Sequence, residues 1–445
     1  NMAALSGIQI YKMLPQTNCK DCDFPTCLAF AMKLAAKQVE LSLCPHVSEE
    51  SEAKLSEASA PPVRPFALKS NGYEAKAGNE IVLFRHEKTF YSRPGLFLRV
   101  YDSQSAEEIK AKITPADEYM VDYVGIELEM GGFVVQANGG DFAKAVSTVR
   151  GISHRPLILV GGVDELKAGL ATLNGDEKVM LAHATAENWE AMATLAKEHD
   201  AALAIEADSV DEMVALSEKV QGAGVKDLVL SPTQRGFNGT LTANTTARRM
   251  AIKKNFRALG FPIINFPGDV GSASREATLA AQAIGKYSGF IVLDNFSPEV
   301  AYALLVLREN IYTDPQKPIQ VTPGIYEVND PGPDAPVLVT TNFSITYFSV
   351  ANEVESSGSP SWLLVTDAEG MSVLTAWAAG KFDAEIIAKQ VKQFNVADKV
   401  DSMKIVLPGH TAVLSGELEE ELPDWKVMVG PREAVDLPAF LKTAV

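Results

Sequence analysis

"PLILVGGVDELKAGLATLNGDEKVMLAHATAENWEAMATLAKEHDAALAI" (Pro156–Ile205) switches back and forth between two periods. The runs Pro156–Val160, Val179–Ala182 and Ala202–Ile205 are apolar throughout and too short for helices. Such runs read as strands buried on both faces, as in parallel sheets. Between them, Asp164–Leu173 and Glu187–Glu198 repeat apolar residues at the spacing of an amphipathic helix. Parallel neighbours need long crossovers, and these helices supply them.

The same rhythm extends outward. Further strands are predicted at Leu96–Tyr101, Val124–Leu128, Asp227–Leu230, Pro262–Asn265 and Phe290–Leu293. Helices are predicted over Asp141–Val149, Val210–Val220, Ala243–Asn255, Arg275–Tyr287 and Pro298–Asn310, and a hairpin near Glu80–Phe90 precedes the set. Eight parallel strands in roughly 200 residues predict a (β/α)8 TIM barrel, here over residues 61–313. Barrels place reactive residues at strand C-terminal ends. The polar residues assigned there are Asp102, Glu127, Glu129, Glu206, Asn265, Asp269, Asp294 and Asn295, with His183 just past the fourth strand. No histidine joins them as a paired acid and base, so the barrel reads as scaffold more than catalyst. The loops Gly236–Thr240 (GFNGT) and Gly268–Ser272 (GDVGS) are weak candidates for a phosphate cradle.

Every cysteine of the chain lies in "NCKDCDFPTCLAFAMKLAAKQVELSLCPH" (Asn18–His46), as Cys19, Cys22, Cys27 and Cys44. The spacing C-x2-C-x4-C-x16-C admits two chemistries. Tetrahedral zinc takes four thiolates, commonly from paired C-x2-C knuckles. A 4Fe–4S cube takes four thiolates at uneven spacing. One knuckle, a remote fourth cysteine and Pro45 directly after it favour the cube and leave zinc open. Leu28, Ala31, Met32, Ala35 and Val39 share a helical face that would carry the chain back to Cys44. Ser48–Pro65, polar and ending in prolines, reads as a linker, which makes residues 1–60 a small tethered cluster domain.

A proline-rich stretch, Thr313–Pro336, marks a second boundary. Beyond it, strands at Val337–Thr340, Trp362–Val365, Lys404–Leu407 and Lys426–Val429 alternate with helices, predicting a doubly wound domain over residues 314–445. Its strand-end loops Thr340–Phe348, Thr366–Val373, Pro408–Val413 and Val429–Ala434 are rich in hydroxyls and glycines and poor in charge. That rim suits a large, mostly neutral cofactor. A G-x-G-x-x-G fingerprint is absent from these junctions, and the hydroxyl-rich first loop lacks the glycine expected for FMN. The acidic run Glu417–Glu421 reads as a solvated helix face.

With 445 residues and a net charge of −17, the chain is multidomain and unsuited to nucleic acid or anionic membrane as a main partner. No apolar run approaches the roughly 20 residues of a spanning helix. "NMAALSGIQIYKMLP" shows no secretory pattern, so a reducing cytoplasmic location is expected, which weakens a disulfide reading.

The cysteine motif "NCKDCDFPTCLAFAMKLA", the barrel, and a last module with "EGMSV" and "GPREA" loops occur in one order. Over essentially the whole chain this resembles the large (gamma) subunit of the corrinoid iron–sulfur protein of the reductive acetyl-CoA pathway. The resemblance implies an α/β multidomain chain: a small N-terminal 4Fe–4S domain, a central TIM barrel and a Rossmann-like corrinoid-binding domain. It implies that Cys19, Cys22, Cys27 and Cys44 hold the cluster. It implies that the corrinoid lies against Thr340, Thr346, Gly370, Met371, Ser372, Val373 and Ala434. It implies a methyl carrier: cobalt(I) takes a methyl group from methyltetrahydrofolate through a separate methyltransferase and passes it to acetyl-CoA synthase/CO dehydrogenase. The cluster, fed by an electron donor, would re-reduce cobalt(II). A small barrel subunit would complete a heterodimer, and this chain's own barrel would bind no pterin. Related corrinoid modules carry D-x-H-x-x-G, whose histidine ligates cobalt. Here that stretch reads "TNFSITYF" (Thr341–Phe348). The corrinoid would therefore be base-off with no protein histidine ligand, and nearby His410 is taken as structural or solvated. Axial ligation tunes cobalt's potential, and its omission eases reduction to cobalt(I). Two rivals remain at this stage: an iron–sulfur barrel methyltransferase or reductase with FMN in the last domain, and an electron-transfer subunit without organic cofactor.

Overall fold

A computed structural model describes residues 7–35, 39, 41–48, 51, 55, 61–123, 125–314 and 319–443. Most of the predicted linker Ser48–Pro65, namely residues 49, 50, 52–54 and 56–60, lies outside the described residues. The chain separates into two compact units, one of residues 1–120 and 129–312, the other of 121–128 and 313–445.

In the first unit, Phe66–Ser70 (β1) and Tyr73–Ala77 (β2) pair antiparallel. Asn71 (φ +45°) and Gly72 (φ +91°) join them, the two left-handed residues that a tight hairpin turn requires. The predicted hairpin at Glu80–Phe90 is corrected: that segment holds no strand. It is pinned instead by carboxylates, Glu80 accepting from the Tyr91 and Ser92 amides and Glu87 from those of Leu83 and Phe84.

The barrel follows. Gly95–Tyr101 is β3; Met120–Tyr123 (β4) and Ile126–Glu129 (β5) form a separate two-stranded sheet. The remaining barrel strands are Gly132–Gln136 (β6), Leu157–Val160 (β7), Met180–Ala184 (β8), Ala202–Ala207 (β9), Leu228–Pro232 (β10), Ile263–Asn265 (β11) and Ser288–Leu293 (β12). The closed order is β10-β11-β12-β3-β6-β7-β8-β9, all parallel, with Phe290 opposite Gly95 where the ring closes. The predicted second strand, Val124–Leu128, is therefore corrected to β6. β5 buries Leu128 alone, whereas Gly132–Val135 is wholly buried, as a parallel strand under a helix layer must be. Caps start the intervening helices: Ser105 and Glu108 form a reciprocal capping box, and Asp141 and Ser209 accept from the Lys144 and Glu212 amides. Phe97, Val134, Ile158, Ala204, Val229, Val292 and their neighbours fill the interior. Leu68, Ala75 and Ala77 of the hairpin join that core, and Lys69 bridges to Lys178 just ahead of β8. The hairpin thus closes the N-terminal end of the barrel.

In the second unit, Gly324–Val328 (β13), Val337–Thr341 (β14), Ser361–Thr366 (β15), Lys404–Leu407 (β16) and Lys426–Val429 (β17) form one sheet in the order β13-β15-β14-β16-β17. Four strands are parallel, and β13 runs antiparallel along β15. β13 arises inside the stretch read only as a proline-rich boundary. Alternate residues of β14 feed opposite cores. Val337 and Val339 join Ile387, Val391 and Leu418 on one face; Leu338 joins Val354, Leu437 and Leu441 on the other. Helices Ala384–Gln393 and Ser415–Glu421 cover the first face, Ser344–Ser357 and Leu437–Thr443 the second. The sheet is doubly wound.

Candidate functional site

Two constellations meet the sequence expectations. In the first, the chain winds through Gln16, Asn18, Lys20 and Asp23, all at positive φ, before entering the helix Cys27–Ala35. Thr26 Oγ1 accepts from the Ala29 amide at 3.1 Å, and Asn18 Oδ1 from the Cys27 amide at 2.8 Å. Cys22 and Cys27 are buried with Ile10, Leu14, Phe30 and Ala31; Cys44 is half-buried and Cys19 exposed. The helix buries Cys27, Phe30 and Ala31, while Leu28 and Met32 of the predicted face are exposed. That face is rotated because the Phe30 ring, tilted against Phe24, takes the inner position.

All four thiols are free. Burial pushes the Cys44 thiol up, the backbone contact at His46 opposes this, and the nearby charges of Cys22, Cys27 and Cys19 add to it. The four sulfurs thus face one locality. Hydrogen bonds from His46 (Nε2 to Oδ2, 2.6 Å) and then Cys19 lower the Asp21 carboxyl. Four thiolates on one zinc ion would stand about 3.8 Å apart, from Zn–S bonds of about 2.3 Å. Among the described residues, the trio of His, Cys, Asp or Glu ligand atoms mutually within 4.8 Å is Cys19, Asp21 and His46; no three sulfurs approach so closely.

The second constellation is a cavity of about 300 Å³ beyond the C-terminal ends of β14 and β16. These neighbours send their following helices to opposite faces of the sheet, so the cavity sits at the topological switch point, where doubly wound sheets bind ligands. Thr340, Thr346, Ser372, Val373 and Ala434 line it. Gly370 and Met371 do not. Gly370 holds the preceding turn at φ +74°, its amide donating to Asn342 Oδ1 at 3.0 Å, and Met371 packs into the core of the first face. Asn342 Oδ1 also takes the Ala368 amide at 3.0 Å, so one buried side chain shapes the whole loop. Pro431, Arg432 and Glu433, from the rim loop Val429–Ala434, also line it, and sequence reasoning missed Ser349 on the wall. His410 lines the cavity too, with Nε2 3.7 Å from Glu433 Oε1. The order β15-β14-β16-β17, which brings these loops together, is not written in any one of them. Thr340 Oγ1 is buried on this wall with no hydrogen-bond partner among the described residues, and Thr341 Oγ1 and Ser344 Oγ close by are equally bare. Ile345 on the wall is exposed, as are Val413 and Val435 in the chain segments that carry His410 and Ala434. An apolar, hydroxyl-bearing recess with a bare acceptor and donor fits the neutral periphery of a corrinoid.

Of the barrel residues assigned to the rim, Glu206, Asp269 and Asp294 do meet at the C-terminal mouth, together with Arg99 and Arg235, which sequence reasoning missed. Asn265 is corrected: it bonds Asn244 and Ser288 away from the interior. Glu127 and Glu129 lie on β5, outside the barrel. Asn295 is tied to Glu276, and Asp102 takes the Asn138 amide. No helix among the described residues is long and apolar enough to cross a membrane.

Residues 67–441 match the family model described as CO dehydrogenase/acetyl-CoA synthase delta subunit, and residues 14–46 one described as a putative Fe-S cluster. The corrinoid/iron-sulfur protein large subunit of Moorella thermoacetica is 40% identical over 442 residues, 98% of each chain. The acetyl-CoA decarbonylase/synthase complex subunits gamma of Methanopyrus kandleri and Archaeoglobus fulgidus are 34% and 32% identical, each match covering 99% of this chain and 98% of the relative. With its thiol loop, its barrel and its switch-point cavity all inside those matches, the chain belongs to the family of corrinoid/iron–sulfur protein large subunits, the gamma subunits of the acetyl-CoA decarbonylase/synthase complex.

Proposed function

We propose that this chain is a methyl-group carrier of the acetyl-CoA pathway, with a corrinoid in the switch-point cavity and a 4Fe–4S cluster on Cys19, Cys22, Cys27 and Cys44. The observation that carries the reading is the bare, buried Thr340 hydroxyl on the wall of a cavity at the switch point. When bound, the corrinoid supplies a cobalt centre able to take and release a methyl group, and the cluster supplies single low-potential electrons. The chain's own residues bind and orient. Thr340, Thr346 and Ser372 offer hydroxyls to the corrinoid's amide-bearing edge; Val373 and Ala434 give apolar wall. The loop that replaces D-x-H-x-x-G offers Ser344 and Thr346 and no imidazole, and His410 is turned toward Glu433, so no protein histidine is assigned to cobalt. The exposed apolar side chains of Ile345, Val413 and Val435 suit transient cover by partner proteins. Those partners would be a small barrel subunit, a methyltetrahydrofolate-dependent methyltransferase, acetyl-CoA synthase/CO dehydrogenase and a reducing electron donor.

Anaerobic purification followed by visible spectroscopy and metal analysis tests this. Corrinoid bands with about one cobalt and about four irons per chain are expected. Flavin bands would replace the reading with a flavoenzyme. Cluster absorbance without cobalt would reduce the chain to an electron-transfer subunit.

A further inference from the structure

Side chains on a barrel strand face inward at every second residue. Phe97, Val134, Ala204, Val229 and Val292 lie in the interior core. Two residues further on, Arg99, Gln136, Glu206, Ser231 and Asp294 form the next layer toward the C-terminal mouth. Two guanidinium groups organise that layer. Arg99, with its side chain 4% exposed, donates Nε and Nη2 to the two oxygens of Asp294 at 2.7 and 2.9 Å, meets Asp269 Oδ1 at 2.7 Å, and donates Nη1 to Gln136 Oε1 at 2.8 Å. Arg235 donates Nε to Asp269 Oδ2 at 2.7 Å and Nη2 to Glu206 Oε1 at 3.2 Å. Tyr101 Oη donates to Asp294 Oδ2 at 3.1 Å. The guanidinium nitrogens of this layer thus each hold an acceptor, Arg235 Nη1 donating to the Pro232 carbonyl.

What stays open lies on three adjacent strands, β8, β9 and β10. The ladder between β8 and β9 slips between Ala182 and Ala184, and a bulge of this kind re-aims a side chain. The His183 ring stands edge-on to inward-facing Phe266, centroids 5.1 Å apart. His183 Nε2 and the fully buried Ser231 Oγ have no hydrogen-bond partner among the described residues. Glu206 Oε2 is 4.0 Å from His183 Nδ1, beyond hydrogen-bond reach. Burial, with Arg235 adding, lowers the His183 pKa to about 4, so the imidazole is neutral at pH 7. Two guanidinium groups stand against three carboxylates in this layer, with the half-buried Lys112 within electrostatic reach of Asp294 and Arg99.

We propose that the C-terminal mouth of the barrel binds a small nitrogen base, an uncharged or cationic molecule presenting two or three N–H donors, on Glu206, His183 and Ser231. Glu206 Oε2 and one nitrogen of the neutral imidazole accept hydrogen bonds, the Ser231 hydroxyl accepts as well as donates, and the guanidinium nitrogens of Arg99 and Arg235 each already hold a partner. A merely structural salt-bridge plug would have no use for an unpaired imidazole and an unpaired hydroxyl beside it.

The test uses the full chain with ¹⁵N-labelled histidine, the His183 ring resonances being assigned through His183→Gln. 2-Aminopyrimidine is the probe and inorganic phosphate the anionic control. A probe of about seven heavy atoms is expected to shift the His183 resonances with Kd on the order of 1 mM. Phosphate is expected to leave them in place. Glu206→Gln should weaken binding about tenfold, the scale of a lost charge-assisted hydrogen bond. Ser231→Ala should weaken it about threefold while the melting temperature holds or rises, since a bare buried hydroxyl is removed. The proposal is overturned if the resonances stay put at about 20 mM probe, if phosphate moves them equally, or if Ser231→Ala binds the probe as the wild type does.

Discussion

Thr340 buries a hydroxyl that finds no partner, and this makes it a sensitive reporter. Thr340→Val keeps the shape and removes the bare group, so the denaturation midpoint should hold or rise by about 1 kcal/mol equivalent. Corrinoid affinity, followed by anaerobic equilibrium dialysis, should fall about fivefold, the worth of one hydrogen bond. Cys27 tests the other constellation. Cys27→Ala should strip the cluster, seen as lost iron and lost visible absorbance, and abolish reactivation by the physiological reductant. Methyl transfer should survive when reducing power is supplied artificially; normal reactivation in this variant would refute the division of labour. Both residues were legible in the sequence for physical reasons. The four cysteines occupy one segment, and Thr340 lies at the C-terminal end of an unmistakable buried strand. The loops of His410 and Arg432 were legible as rim, but Ser349 was not, because it lies in the second turn of the helix Ser344–Ser357 and not in a strand-end loop.

At the scale of elements, the buried guanidinium of Arg99 spans β3, β12 and the loop after β11. Arg99→Met leaves Asp294 with no guanidinium and Asp269 with Arg235 alone, and should cost about 3 kcal/mol in urea denaturation. Adding Asp294→Leu should restore part of that loss, because an apolar pair no longer carries the desolvation of charges. The barrel itself could be read from alternating buried strands and amphipathic helices, yet three elements were misplaced. Asn71-Gly72 is a strong hairpin signal, overlooked because the flanking strands look polar: Tyr73, Glu74 and Lys76 are exposed and Ala75 and Ala77 point inward. The segment VGIEL at Val124–Leu128 looked more strand-like than GFVVQ, but its Glu127 cannot lie under a helix layer. β13 hid among prolines because an antiparallel edge strand needs one paired side only.

Across the whole molecule, acid should act on the barrel through His183. Its folded pKa of about 4 lies below the unfolded value of 6.5, so the unfolded chain binds the extra proton between those limits. Stability from this group is complete above pH 6.5, is lost as pH falls toward 4, and stays lost below. The loss is on the order of 3 kcal/mol. Urea midpoints at pH 7 and pH 5 should therefore separate less in His183→Gln than in the wild type; equal separations would exclude the histidine as the source. The hairpin that floors the barrel carries a different consequence. Its Ala77 lies where a side chain on Gly289 would collide, at 2.9 Å, and its Phe66 ring lies tilted against that of Phe290, centroids 5.6 Å apart. The hairpin leaves the ribosome some two hundred residues before the strand it rests on, a separation that slows any contact-driven assembly. Nascent chains released before β12 would hold a finished cork and no bottle, with apolar side chains exposed to whatever chaperone or protease arrives first.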